Sequence, residues 1–392
     1  MIAIEPEKDF WNICFSPDLS TYDPYDIWKS DIGVKVKQLF NAYRILGIIP
    51  AALLTFYDQV LNNEKRVFYK KQEYPVIRAF AAQILLKIYN KTKEPALLYW
   101  VEMHLDQLIS QSSKGYSGYC WGLNMVWASK IRTFPKNTPF ITSTPYALEA
   151  LIRFQEATNN IKYQDVITSV YHFISKDLYK LIEEEHILCL SYAPGWEARP
   201  VINANSYALY SLSLLRSFLP EKSDIIQRDI LRLYNYIIQQ QKPDGSWLYY
   251  GDNKKGNFID CFHSCFILKN IIKASKCVPL PANHIIVVEK GYSYLLNNFY
   301  DKQFGLFKRF TKTDKPNLIK FDLYDNAEML NLIYLNNDLK MYNSLKDSIK
   351  RHFIKGKDIF SVINVFKSRK NKNMLRWAEM PYMYALSHSI NL

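Results

Sequence analysis

Asp260 and His263 stand three residues apart in DCFHSC, at the head of an apolar run that reads as a helix. At that spacing both side chains lie on one face of a first helical turn. A carboxylate beside an imidazole fixes its tautomer and raises its basicity, so the pair can take or give a proton near neutral pH. Two ordinary roles compete with this one. Asp260 can cap the helix by accepting backbone N–H groups, and His263 can be a satisfied interhelical residue. The pair could also supply two metal ligands, but no convincing third accompanies them, so neither metal nor another cofactor is expected. Cys261 and Cys265, four apart, read as packing residues rather than nucleophiles.

Polar groups recur at comparable places. Tyr192, Trp196, Glu197 and Arg199 fall in LSYAPGWEARP. Arg199 can grip a substrate carboxylate through two bonds or pair locally with Glu197. Asn203 and Asn205 open the next helix, one as a cap and one as an amide donor. Asp322, Asp325, Asn326 and Glu328 cluster at another helix start, and Glu379 opens the last. Carboxylates there are ordinarily favoured by the helix dipole; two facing each other would allow glycoside hydrolysis. Tyr119, Trp121, Trp127, Trp196, Trp247 and Tyr249 lie in connectors and read together as platforms for stacking on sugar rings. The expected catalytic group is His263, Asp260 and Tyr192. Substrate contacts are expected from Arg199, Asn203, Asn205, Glu197, Trp121, Trp196, Tyr249, Asp325, Asn326 and Glu379.

These residues sit at one phase of a unit recurring about every 60 residues. Its helix openings read TSTPYALEALIRF, NANSYALYSLSLL, DCFHSCFILKNII, YDNAEMLNLIYL and EMPYMYALSHSI. Each unit is a connector followed by two helices, the first apolar nearly all round and so destined for an interior. Helical pairs stack because one pair cannot bury its own face. Inner helices are expected from about residues 74, 143, 203, 259, 323 and 378, and outer ones from about 94, 162, 222, 282 and 338. The expected architecture is all-α, an α/α toroid with short β-hairpin connectors, in one domain over residues 1–392. Residues 1–31 read as irregular, and 32–62, a helix pair broken at Pro50, is expected to close the ring beside 378–390. A plain helical solenoid is the alternative.

The stretches TPYALEALIRFQEATNN, LSYAPGWEARPVINANSYALYSLSLL and QQQKPDGSWLYYGDNKKGNFIDCFHSCFILKNI carry a resemblance over roughly residues 115–275. They resemble a family of bacterial proteins found with surface-polysaccharide biosynthesis genes. The resemblance implies a carbohydrate-active protein of capsule or exopolysaccharide biosynthesis. Its fold is shared by terpenoid cyclases, protein prenyltransferases, polysaccharide lyases and the helical domain of glucuronyl epimerases, so fold alone does not name a reaction. No DxDD motif is present, DGSW occurs in one connector only, and Asp260, Cys261 and His263 lack the spacing of a prenyltransferase zinc site. That disfavours an isoprenoid cyclase or transferase. What stands is lyase, epimerase or hydrolase chemistry on an acidic glycan, or a non-catalytic glycan-binding accessory.

A net charge of +13 favours anionic partners, such as an acidic glycan or its precursor, a membrane face or a glycosyltransferase complex. The densest basic run, KSRKNK at 367–372, reads as a solvated loop, and no nucleic-acid motif accompanies it. The acidic start MIAIEPEKDF lacks a signal-peptide core. Six cysteines without disulfide-like spacing agree with a reducing cytoplasm. No run of 18 purely apolar residues occurs. Ile45–Tyr57, flanked by Lys35, Lys37, Arg44, Lys65 and Arg66, reads as a core helix pair or as a segment touching an anionic membrane, peripherally to the inner membrane.

Overall fold

Helices apolar on every side line the interior, and helices apolar along one stripe wrap them. The computed structural model describes residues 11–129, 132–195, 199–252, 254–313 and 318–391. Along the chain, α1 (Asp31–Ala42) and α2 (Arg44–Phe56) form a hairpin. There follow α3 (Pro75–Thr92), α4 (Ala96–Ser110), α5 (Thr144–Thr158), α6 (Gln164–His172), α7 (Ile202–Leu215), α8 (Ser223–Gln239) and α9 (Cys261–Cys277). The series ends with α10 (His284–Asn298), α11 (Leu323–Leu335), α12 (Leu339–Phe353) and α13 (Met380–Leu386).

From α3 onward the odd helices are inner and the even ones outer. Every residue of α7 is buried, including Ser206, Ser211 and Ser213, whereas α8 buries Ile226, Ile230, Leu233 and Ile237 along one stripe. Each inner helix packs on the next, from α3 to α5, α7, α9, α11 and α13, and α13 returns to α3. The ring is closed, and the fold is an α/α toroid. The inner helices run the same way. Phe262 and Asp325 meet at the N-terminal end, while Lys87 meets Ser387 and His388 at the C-terminal end.

Several elements depart from expectation, each for a local reason. The helix expected over 162–182 stops at His172 and a π-turn to Asp177. The rest becomes a strand, Lys180–Glu183, antiparallel to Leu188–Leu190. KSRKNK is not a loop: Arg369–Lys372 is a strand paired with Asp358–Asn364, which also pairs with Ile319–Asp322. Within it Arg369 donates to the carbonyls of Arg351 and His352, and Asn371 is buried. Pro50 does not break a helix; it lies inside α2, and the break falls at Tyr43. Nor is α2 a core element. Arg44–Leu61, α2 with its π-helical extension, has 11% of its residues buried and is apolar enough on average to cross a membrane. The ring closes through α13 against α3; just beyond the segment 32–62, Asn63 and Arg66 bond to Asn371.

Candidate functional site

One device recurs where four of the six inner helices begin, at α5, α7, α9 and α11. A polar side chain turns back onto the carbonyl four residues earlier and, in three of the four units, onto the adjoining connector. Asn205 accepts from Leu190 N at 2.7 Å and donates to the Leu190 and Val201 carbonyls. Asn326 accepts from Phe307 N at 2.8 Å and donates to the Phe307 and Asp322 carbonyls. Thr144 spans Trp121 and the Phe140 carbonyl, and Ser264 donates to the Asp260 carbonyl. These groups satisfy backbone polar atoms that would otherwise be orphaned at a buried helix start. Asn205 and Asn326, expected to touch substrate, are fully buried and consumed in this role.

The device also sets a register between units. Asp260 and Asp322 occupy equivalent positions, so His263 corresponds to Asp325. His263 Nδ1 lies 2.7 and 2.9 Å from the two Asp260 oxygens, which leaves Nε2 as the atom free to exchange a proton. The imidazole side chain is 20% exposed, against 3% for Asp260, so the pair is reachable. Phe262, between them, donates its N–H to Asp325 Oδ1 at 3.0 Å. Asp325 Oδ2 is buried without a hydrogen-bond partner. Burial drives the Asp325 carboxyl well above its ordinary range, and Asp322 and Asp260 add to the shift against the pull of Arg309. Its surroundings therefore favour the protonated form of Asp325 over the carboxylate.

Arg309, carried on the connector before α11, bonds Asp322 at 2.5 Å. Burial opposes its charge, yet Tyr25, Asp322 and Asp260 around it outweigh that and favour the guanidinium cation. Its guanidinium lies 5.6 Å from the Phe262 ring and 5.7 Å from Trp377. Trp377 donates its indole N–H to Asp322 and stacks on Tyr324 at 4.3 Å. Tyr249 packs against His263 at 4.6 Å and stacks on Phe258. The N-terminal mouth thus joins an imidazole–carboxylate pair, a buried carboxyl with a raised pKa and a guanidinium inside an aromatic frame.

Of the residues anticipated from sequence, the structure brings together Asp260, His263, Tyr249 and Asp325. Tyr192 lies nearby: its ring tilts on Phe140, its hydroxyl accepts from Thr142, and burial raises its pKa. Arg199 is engaged elsewhere, bonded through two nitrogens to Asp252 and stacked 3.7 Å from the Tyr250 ring. Trp121 is no sugar platform, because its ring is fully buried and its N–H donates to Leu108 O; Trp247 repeats this with Ile237 O. Asn203 keeps a buried amide oxygen without a partner. Glu379 bears on the buried Cys14 thiol, and desolvation raises its own pKa to about 7. Trp196 and Glu197 lie outside the described residues. Arg309, Tyr324, Trp377 and Tyr25 were not singled out from sequence. The register of Asp260 with Asp322, which aligns Phe262 with Tyr324, was the signal that would have led to Tyr324.

A cavity of about 600 Å³ opens at the opposite, C-terminal end of the inner helices. Lys87, Arg153, Lys273, Glu149, Tyr384 and His388 are among the residues lining it. Its charges are largely spoken for: Lys273 bonds Glu149 at 2.5 Å, and Arg153 bonds Glu156 at 2.8 Å.

No protein-family model matches the chain. A search of curated proteins likewise returns no match. Solved structures do share its fold. The cellobiose 2-epimerase from Bacillus thermoamylovorans B4167 superposes with a TM-score of 0.64 at 12% identity, over 82% of this chain and 88% of that one. The GH76A α-1,6-mannanase from Salegentibacter sp. HEL1_6 does so with a TM-score of 0.57 at 10% identity, over 91% and 98%. A family 88 glycosyl hydrolase from Bacteroides vulgatus gives 0.56 at 8% identity, over 87% and 98%. The chain is an α/α toroid of the architecture seen in these sugar-acting proteins.

Proposed function

We propose that the protein is a carbohydrate-active enzyme that moves a proton on an acidic sugar or glycan. The observation that carries this reading is the Asp260–His263 pair, set beside the buried Asp325 carboxyl, whose pKa is raised, and the Arg309 guanidinium in one mouth. Abstracting a proton beside a uronate carboxylate needs a base, an acid and a positive group facing the charge that develops. His263 Nε2 takes the proton, with Asp260 stabilising the imidazolium. Arg309 faces the enolate-like charge. Asp325 supplies a proton, either to the carbon from the other face, giving an epimer, or to the departing glycosidic oxygen, giving an unsaturated product. Epimerase and glycoside hydrolase names among the structural neighbours agree with a sugar as substrate. A place in bacterial capsule or exopolysaccharide biosynthesis is supported by the sequence resemblance over residues 115–275.

A second reading, glycan binding without turnover, draws on Phe262 and Trp377, which leave little open space in the mouth at 8% exposure each. Incubating acidic saccharides with the protein in heavy water separates the two. Deuterium uptake or a new double bond, lost by a factor of about 10² or more in His263→Ala, is the expected result. An unchanged panel that still binds one member would replace the enzyme with the accessory protein. Glycan shortening without deuterium uptake would redirect the chemistry to hydrolysis.

A further inference from the structure

The surface is unevenly apolar. Of 23 exposed large hydrophobic residues among those described, 13 lie between Ile32 and Phe68. They include Ile45 at 88% exposure, Ile49 at 68%, Leu53 at 64% and Phe68 at 90%. A water-facing patch this dense marks an interaction surface rather than chance exposure. We propose that the α1–α2 hairpin is an in-plane anchor, seated in the interface of a bilayer containing anionic lipid.

Three observations select that occupant. The first is the charge pattern. Arg44 and Asp58 are the only charged residues in Arg44–Leu61, while exposed Lys35, Arg44, Lys65, Lys70 and Lys71 flank the apolar stretches along the chain, against exposed Asp31 and Glu64. An apolar segment flanked by an excess of cations suits acyl chains below and anionic headgroups beside them.

The second is how the hairpin is held. α1 is tied to the body by Gln38 to Thr133, Asn41 to the Ser129 carbonyl and Lys37 over the Trp127 ring. Gly47 lets the helices close up, since a Cβ there would meet Phe40 Cα at 2.3 Å. Beyond α2, buried Asp58 accepts from Tyr69 and pairs with Arg66, and Asn63 reaches Asn371. Both ends of the apolar segment are thus fastened to the same face of the toroid. A helix held at both ends lies along a bilayer surface and does not cross it.

The third is position. Trp127, under Lys37, packs edge-on against Tyr25, and Tyr25 packs against Trp377 of the mouth. The anchor therefore adjoins the N-terminal end of the toroid, and docking would hold the mouth beside the lipid headgroups.

Vesicle sedimentation of the full chain tests this, with phosphatidylcholine alone and with phosphatidylcholine containing phosphatidylglycerol. Strong binding to the anionic vesicles and weak binding to the neutral ones is expected. Leu46→Ser, Ile49→Ser and Leu53→Ser together should reduce binding at least tenfold with an unchanged unfolding midpoint, because these side chains have little contact to lose. Lys65→Glu, Lys70→Glu and Lys71→Glu should erase the anionic preference, and His263→Ala should bind as the parent does. The proposal is overturned if the parent ignores both vesicles or if the apolar variant binds equally well. It is also overturned if the parent is a dimer that the serine substitutions convert to monomers, since the patch then seats a second copy.

Discussion

At the residue scale, the mouth contrasts two equivalent positions. In the α9 unit the helix-start carboxylate, Asp260, is spent on His263; in the α11 unit Asp322 is spent on Arg309 and Trp377. Asp325, by contrast, keeps one buried oxygen without a hydrogen-bond partner, with Arg309 acting on it only at longer range. Two other carboxyls give pH predictions of opposite sign. Burial works against the charge of Asp23, but Arg376 and Lys29 outweigh it and lower its pKa to about 2. Its contribution, roughly 2 kcal/mol, is present above pH 4 and lost as pH falls toward 2. Asp23→Asn should therefore destabilise the protein at pH 7 and cost progressively less in acid, as followed by urea unfolding. Glu379 is raised from 4.5 to about 7 by desolvation. Its own contribution to stability is therefore fully present below pH 4.5 and is lost as pH rises through 7. Glu379→Gln is expected to stabilise by up to about 3 kcal/mol at pH 8 and by almost nothing at pH 4; a pH-independent effect would place this carboxyl in water.

At the element scale, the joints between helix and connector hold the mouth in shape. Asn326 makes three backbone bonds from a fully buried site. Asn326→Ala should cost about 2–3 kcal/mol, because Phe307 N and two carbonyls lose partners that water cannot replace. Asn205→Ala should behave alike, and Ser264→Ala, with one bond to give up, should cost about 1 kcal/mol. Thermal melting of the three variants checks the ranking. Helix positions were legible because the inner and outer periodicities differ so strongly. The hairpin at 180–190 was not, because KLIEEEHILCL alternates weakly, and its pairing is secured by Asn205, fifteen residues beyond Leu190.

At the scale of the whole molecule, the ring is a cooperative object. Closure depends on α13 between α11 and α3, with Tyr342 donating to the Ala385 carbonyl and Lys87 bonding Ser387 and His388. Ending the chain at Glu379 removes that helix, with its buried Met380, Met383 and Leu386, and exposes the faces they cover. The expected result is loss of the sharp unfolding transition, seen by circular dichroism, rather than the modest shift that trimming a peripheral helix would give. The anchor hairpin is the contrasting case, because its removal uncovers little core.

The sequence by itself determined the repeat, the inner and outer order of the helices and the Asp260–His263 pair. Each of these is written in short-range periodicity or spacing, which helical geometry converts directly into position. Tertiary structure decided what lies opposite what. It placed Arg309, Tyr324 and Trp377 in the mouth, turned Asn205, Asn326 and Trp121 into scaffold, occupied Arg199 with Asp252, and left α2 facing outward. Those outcomes depend on contacts between units tens to hundreds of residues apart, where the burial of a polar group and the identity of its partner are set by the closed ring.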